Sequence, residues 1–205
     1  MTRTSTRLFL IIVISISLFS ALLPAQDVHA LDAYHRTPLP DLDVFIEEVR
    51  DGQAGVLRGV YIPGILADPV VQQPDGMVGF VSPRQNVITE FSLASRSGST
   101  GLLAHNDLAG EVFNLLQEGQ EINLIDGSGL VSTFIVTEIR RYQALEPDSI
   151  SSRFLDPESG MILTSTGLFR RVYGPPGRVV LQTCIEADGN PSWGRLFVIA
   201  VPLDE

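Results

Sequence analysis

Beyond its N-terminal segment the chain has one cysteine, Cys184, and two histidines, His35 and His105, for nucleophilic or acid–base chemistry. A thiol attacks a carbonyl as its thiolate, so a neighbouring imidazole or cation has to favour its ionisation, and the imidazole can later protonate the leaving amine. The tetrahedral oxygen formed in the attack is negative and needs a fixed donor. His35 lies in a leader with Pro38 and Pro40, where nothing would hold it rigidly, so a Cys/His pair in the folded domain has to be Cys184 with His105. Arg195 opens the apolar run that follows Cys184. A hairpin return would bring it back beside the thiol, where a permanently charged fork of donors can hold a carbonyl or an oxyanion. Taken singly, each residue also has a plainer reading. Cys184 would be a small buried hydrophobe, His105 part of a helix cap and Arg195 a solvated edge charge.

These side chains need elements to position them. Cys184 ends the apolar run "RVVLQTC" and Arg195 begins "GRLFVIAVPL", with the polar segment "IEADGNPSW" turning the chain between the two strands. His105 ends the strand-like "TGLLAH" and lies one residue before "DLAGEVFNLLQEG". There Leu108, Val112, Leu115 and Leu116 predict a helix, with Asn106 or Asp107 as its cap and Gly119 as its stop. Upstream, "VLRGVYI", "MVGFV" and "VITEFSLA" read as further short strands cut by Pro and Gly. The turn "DGSG" between "EINLI" and "LVSTFIVTEIRRYQAL" predicts a hairpin. A first amphipathic helix is expected at "DLDVFIEEVRDG", with Leu42, Phe45, Ile46 and Val49 on one face, and a short third one over "TSTGLFRRVYG". An irregular insert runs between Ala144 and that helix. Many short strands with a few helices predict a mainly β, closed or nearly closed barrel in a single domain.

Residues 1–30 have the parts of an export signal: basic Arg3 and Arg7, the apolar run Leu8–Leu23, and small residues at Val28 and Ala30. At about 1.5 Å per residue that run spans about 24 Å, short of a hydrocarbon core of about 30 Å, which favours a cleaved signal over a retained anchor. Residues 31–42 then form a leader and 43–205 the domain. Cleavage removes Arg3, Arg7 and Asp27, taking the net charge from −10 to −11. That argues against nucleic acid or anionic lipid as a partner. All 14 basic residues are arginine, which excludes a Schiff-base lysine, a Ser/Lys dyad and a P-loop. Glu146, Asp148, Asp156 and Glu158 lack the dense spacing of a calcium loop and read as solvated surface, so neither metal nor cofactor is expected.

At these residues the chain resembles the sortases. "VLQTC" is similar to the Thr-Leu-x-Thr-Cys signature of that family, "LLAHND" to the segment around its histidine, and "WGRLFVIA" to its last strand with the arginine. The order His, Cys, Arg is shared as well. Val180 stands where the signature usually has Thr, and Ala104 where Gly commonly precedes the histidine; neither change removes a reacting group. The resemblance implies a sortase-like barrel of about eight strands and an exported, extracytoplasmic cysteine transpeptidase. Cys184 would attack the carbonyl of a C-terminal sorting signal, His105 would serve as acid and base, and Arg195 would stabilise the oxyanion. The thioacyl-enzyme would pass to an amine, such as one on a cell-wall precursor. The resemblance also implies that the region from Ala144 to about Gly177 shapes the peptide groove, with Thr183, Ile150, Phe154 and Leu155 as substrate contacts. For the last three, core packing is an equal alternative. A non-catalytic peptide-binding domain and a thiol hydrolase that releases to water are the competing functions.

Overall fold

The computed structural model describes residues 38–149 and 151–203. The expected export signal, most of the leader and Ile150 lie outside the described residues. The chain runs α1 (Leu42–Val49), β1 (Leu57–Ile62), β2 (Leu66–Gln72), β3 (Ile88–Glu90), α2 (Ser92–Arg96) and β4 (Thr100–Leu103). A 3-10 helix (Ala109–Leu115), β5 (Glu121–Asp126), β6 (Val131–Ala144), β7 (Phe154–Leu155) and β8 (Ile162–Leu163) follow. The last elements are α3 (Ser165–Tyr173), β9 (Val179–Ala187) and β10 (Asn190–Pro202).

Strand order is β10-β9-β4-β3-β2-β1-β5-β6, and β6 pairs back onto β10, so these eight strands close into a barrel. The short strands β7 and β8 extend outward from β6. The architecture is the one expected from the sequence.

Two apolar clusters follow from the two-residue alternation of strands. Val179, Leu181, Leu196, Val198 and Ala200 point into the barrel with Leu102, Phe113 and Ile122. Val180, Phe197, Ile199, Tyr142 and Ala144 point outward, where α3 covers them with Leu168, Val172 and Tyr173. Thus β9 and β10 are apolar on both faces beneath α3, which is why their sequences read as continuous apolar runs. Truncating a fully enclosed ring such as Phe113 to Ala would cost about 3–5 kcal/mol.

Three local expectations change, and one strand was not expected. "MVGFV" is a turn, with Met77 and Val78 exposed, because an apolar run too short to bury either face finds no partner strand. "VITEFSLA" divides into β3 and α2. β2 was concealed by Pro69. The proline is tolerated because it is exposed and lies opposite Gly59, just before the pairing with β3 begins at Val70. The helix after His105 is 3-10, and neither Asn106 nor Asp107 caps it with a side chain; its N-cap is Leu108. In contrast, α1 buries Phe45 on the expected face, and Thr164 Oγ1 caps α3 by accepting from the Gly167 amide at 3.1 Å. The β5–β6 hairpin turns at Asp126–Leu130 as expected. Asp126 accepts from the Ser128 and Leu130 amides, from Ser128 Oγ and from the Gly55 amide, and these bonds depress its carboxyl to about 2.

Candidate active site

β9 lies between β4 and β10, parallel to the first and antiparallel to the second. Leu103 pairs with Gln182, and the ladder continues one step through the Ala104 amide, which donates to the Gln182 carbonyl at 3.2 Å. Ala104 belongs to the inner cluster, and the next residue, His105, is exposed. Cys184 shares the parity of Val180 and so faces outward; it is half-buried and forms no disulfide. Arg195 is the direct cross-strand partner of Cys184. Cys184 and Arg195 therefore sit side by side on neighbouring strands, about 4.8 Å apart, on the outer face of the barrel, and His105 lies in the loop two residues beyond β4.

The position of Arg195 depends on an irregularity invisible to hydrophobic pattern. The chain does not leave β9 at Cys184 for a long loop. Both strands continue to a two-residue turn at Asp188 and Gly189, whose φ values of 52° and 74° suit the tight hairpin that Asp-Gly favours. Between the Asn190–Ala187 and Gly194–Ile185 pairs β10 advances by four residues and β9 by only two, so Pro191–Trp193 form a bulge. In unbroken register Arg195 would face Gln182; the bulge shifts it to Cys184. The same bulge holds the guanidinium, because Arg195 Nη1 donates to the carbonyls of Ser192 at 3.2 Å and Gly194 at 2.8 Å. It is tied to the histidine loop as well: Asn106 Nδ2 donates to the Pro191 carbonyl at 3.2 Å.

The loop bearing His105 is held by its own main chain. The His105 carbonyl accepts from the Leu108 amide at 3.1 Å and the Gly110 amide at 2.9 Å. Gly110 is required there, since a Cβ at this position would collide with Thr183 Oγ1 and approach the carbonyls of His105 and Ala104 to 2.7 and 2.9 Å.

Two grooves flank the Cys184–Arg195 pair, one lined by Cys184 and the other by Arg195. One, of about 680 Å³, is lined by His105, Asn106, Asp107, Glu111, Cys184, Glu186, Pro191 and Ser192, so three carboxylates surround the thiol and imidazole. The other, of about 240 Å³, runs under α3 and is lined by Phe91, Phe154, Leu168, Phe169, Tyr173 and Arg195. Tyr173 is buried, which drives its hydroxyl far up from its ordinary value, and it donates to Gln182 Oε1 at 2.6 Å at the base of that groove. No hydrogen bond joins Cys184 to His105 among the described residues.

Of the expected substrate contacts, Phe154 lines the apolar groove, as does Ser149, which the sequence did not nominate, while Ile150 lies outside the described residues. Leu155 has the opposite parity and does not line it. Thr183 is a correction: 2% exposed and of inward parity, it lies beneath Gly110 with its hydroxyl unpartnered among the described residues, and it does not reach either groove. The adjacent acidic residues are engaged internally. Glu146 binds Arg153 at 2.6 Å, and Asp156 accepts from Ser159 Oγ at 2.8 Å. Sequence reasoning missed Asn106 as a link to β10, and it missed Glu111 and Glu186 as groove walls. The Asp-Gly dipeptide was the signal that would have extended the two strands.

The site is thus a thiol and a guanidinium paired on the outer face of a closed β-barrel, between an acidic and an apolar groove, with an imidazole lining the acidic one. No protein-family model and no curated protein matches the chain. Solved structures that it is similar to are sortases. With sortase A from Corynebacterium diphtheriae the identity is 15%, over 75% of this chain and 63% of that one, at a TM-score of 0.49. With sortase C1 from Streptococcus suis it is 15%, over 80% and 79%, at 0.49. With sortase C from Clostridium perfringens it is 16%, over 89% and 93%, at 0.45. Among the described residues no helix is long and apolar enough to cross a membrane.

Proposed function

We propose that this protein is an exported cysteine transpeptidase of the sortase type. The observation that supports it is the cross-strand pairing of Cys184 with Arg195, where Cys184 shares an acidic groove with His105 and Arg195 lines an apolar one. An extended, apolar C-terminal sorting segment lies in the groove under α3, with its scissile carbonyl beside Arg195. Cys184 Sγ, as the thiolate, attacks the carbonyl carbon, and the oxyanion is held by the Arg195 guanidinium. His105 protonates the departing amine as the C–N bond breaks, leaving a thioester. A second amine enters through the groove lined by Asp107, Glu111 and Glu186, whose charge favours a cationic acceptor. His105 removes its proton as the new amide forms and the thiolate leaves. Binding brings His105 and Cys184 into hydrogen-bond contact, as catalytic pairs commonly tighten with substrate.

The test is a quenched-peptide library of sorting motifs incubated with the protein and an amine acceptor, with products read by mass spectrometry. Amine-linked product is expected, with Cys184→Ala and His105→Ala each lowering turnover at least about a thousandfold. Absence of turnover across the library, or turnover that survives Cys184→Ala, overturns the reading. Hydrolysed product unaffected by added amine replaces transpeptidation with hydrolysis.

A further inference from the structure

At the C-terminal end of α3 lies a separate pocket of about 140 Å³, lined by Glu138, Arg140, Tyr142, Arg171, Val172, Pro175, Arg178 and Ile199. Three arginines reach it from three elements: Arg140 from β6, Arg171 from the last turn of α3, and Arg178 from the segment entering β9. In a chain of net charge −10, such a convergence of cations is not what average composition produces. Tyr142 is 1% exposed, and its hydroxyl has no hydrogen-bond partner among the described residues. Leaving a buried hydroxyl unpaired is unfavourable, and a native site usually supplies a reason for it.

The neighbouring carboxylates are Glu138, Asp156 and Glu158, and they leave donors free among the described residues. Glu138 takes Arg140 Nε at 2.7 Å, which leaves that fork's terminal nitrogens uncommitted to a carboxylate. Arg171 reaches Asp156 only at 3.8 Å, beyond hydrogen-bond range, and otherwise touches Met161 Sδ at 3.9 Å. Among the described residues Arg178 meets no carboxylate. Its Nη1 donates to the Val172 carbonyl at 3.3 Å, covering one oxygen at the end of α3 that would otherwise repel an anion. Burial raises the Tyr142 hydroxyl above its ordinary value, so at neutral pH it remains a donor.

We propose that this pocket binds a phosphate group, with the Arg140, Arg171 and Arg178 guanidiniums and the Tyr142 hydroxyl as donors. Donors arriving from several elements suit a tetrahedral oxyanion better than a planar carboxylate, which a single guanidinium fork satisfies. The phosphate is either a soluble one or the diester of a lipid or polymer headgroup, which a local cluster of three arginines attracts even though the chain's net charge disfavours an anionic surface as a whole. The site does not involve Cys184, and the proposal stands independently of the catalytic reading.

Titration calorimetry of the full chain with inorganic phosphate, against chloride at equal ionic strength, tests it. Saturable one-to-one binding is expected. Tyr142→Phe, which keeps the ring packed on Phe197, and Arg178→Gln are each expected to weaken it about tenfold or more. Arg141→Gln removes an exposed charge of opposite strand parity that does not line the pocket, and should change affinity less than twofold. Competition by glycerophosphoglycerol identifies a diester headgroup, whereas binding of inorganic phosphate alone identifies a soluble ligand; both support the site. Non-saturable heats, or binding equally strong in Tyr142→Phe and Arg178→Gln, overturn it.

Discussion

Replacing Gly110 by Ala tests whether the loop bearing His105 is held by main-chain contact with β9. The added Cβ would overlap Thr183 Oγ1 and come within 2.7 Å of the His105 carbonyl and 2.9 Å of the Ala104 carbonyl. Two of these neighbours are backbone oxygens, so they cannot rotate aside as a side-chain tip would. The 3-10 helix has to lift instead, which strains or breaks the Gly110 amide bond to the His105 carbonyl. Overpacking of this kind costs about 1–3 kcal/mol. At about 2–4 °C per kcal/mol for a domain of this size, the melting temperature should fall by about 2–12 °C. Because the displaced carbonyl belongs to His105 itself, transpeptidation measured well below that melting temperature should fall further, by about tenfold to a hundredfold. Gly79→Ala is the matched control. Gly79 has no neighbour within 4 Å of a built Cβ and needs no positive φ, so its melting should shift by less than about 0.5 kcal/mol. Calorimetric melting together with the peptide assay measures both effects. If Gly110→Ala melts and turns over like Gly79→Ala, the close approach of the helix to β9 does not hold the loop.

Asp126 ties the β5–β6 turn to Gly55, and its folded-state carboxyl is held near about 2. A carboxyl depressed on folding stabilises above its unfolded value and loses that contribution as pH falls through about 2. Denaturant melts between pH 7 and 2 should therefore show an acid-dependent loss in the native chain that Asp126→Asn lacks, and parallel pH profiles for the two would refute the assignment. Asn106→Ala removes the side-chain bond that ties the histidine loop to the β10 bulge. Stability should change by less than about 1 kcal/mol for so exposed a bond, while kcat falls several-fold with KM little altered. A change confined to KM would instead make Asn106 a substrate contact.

The amphipathic spacing of Leu42, Phe45, Ile46 and Val49, the Asp-Gly-Ser-Gly turn and the long apolar runs of β9 and β10 were legible because local geometry alone dictates them. Periods of 3.6 and 2, and residues suited to tight turns, need no distant partner to be recognised. β2 was not legible, since Pro69 is acceptable only where its neighbour strand stops short. Nor was "MVGFV" distinguishable from a strand, since its lack of a partner is a fact about the rest of the chain.

The candidate site divides in the same way. Residue types nominated Cys184, His105 and Arg195, because a chain with one thiol, few imidazoles and no lysine leaves few ways to do nucleophilic chemistry. Their convergence was decided in three dimensions. The parallel pairing of β4 with β9 joins segments far apart in sequence, and the bulge at Pro191–Trp193 moves Arg195 from Gln182 to Cys184. Tertiary structure also turned Thr183 away from the groove, since a one-residue step along a strand reverses the face. Sequence determines which groups are present and which local shapes they favour; register and strand order are set by the burial of both faces of β9 and β10 at once, which is a property of the whole barrel.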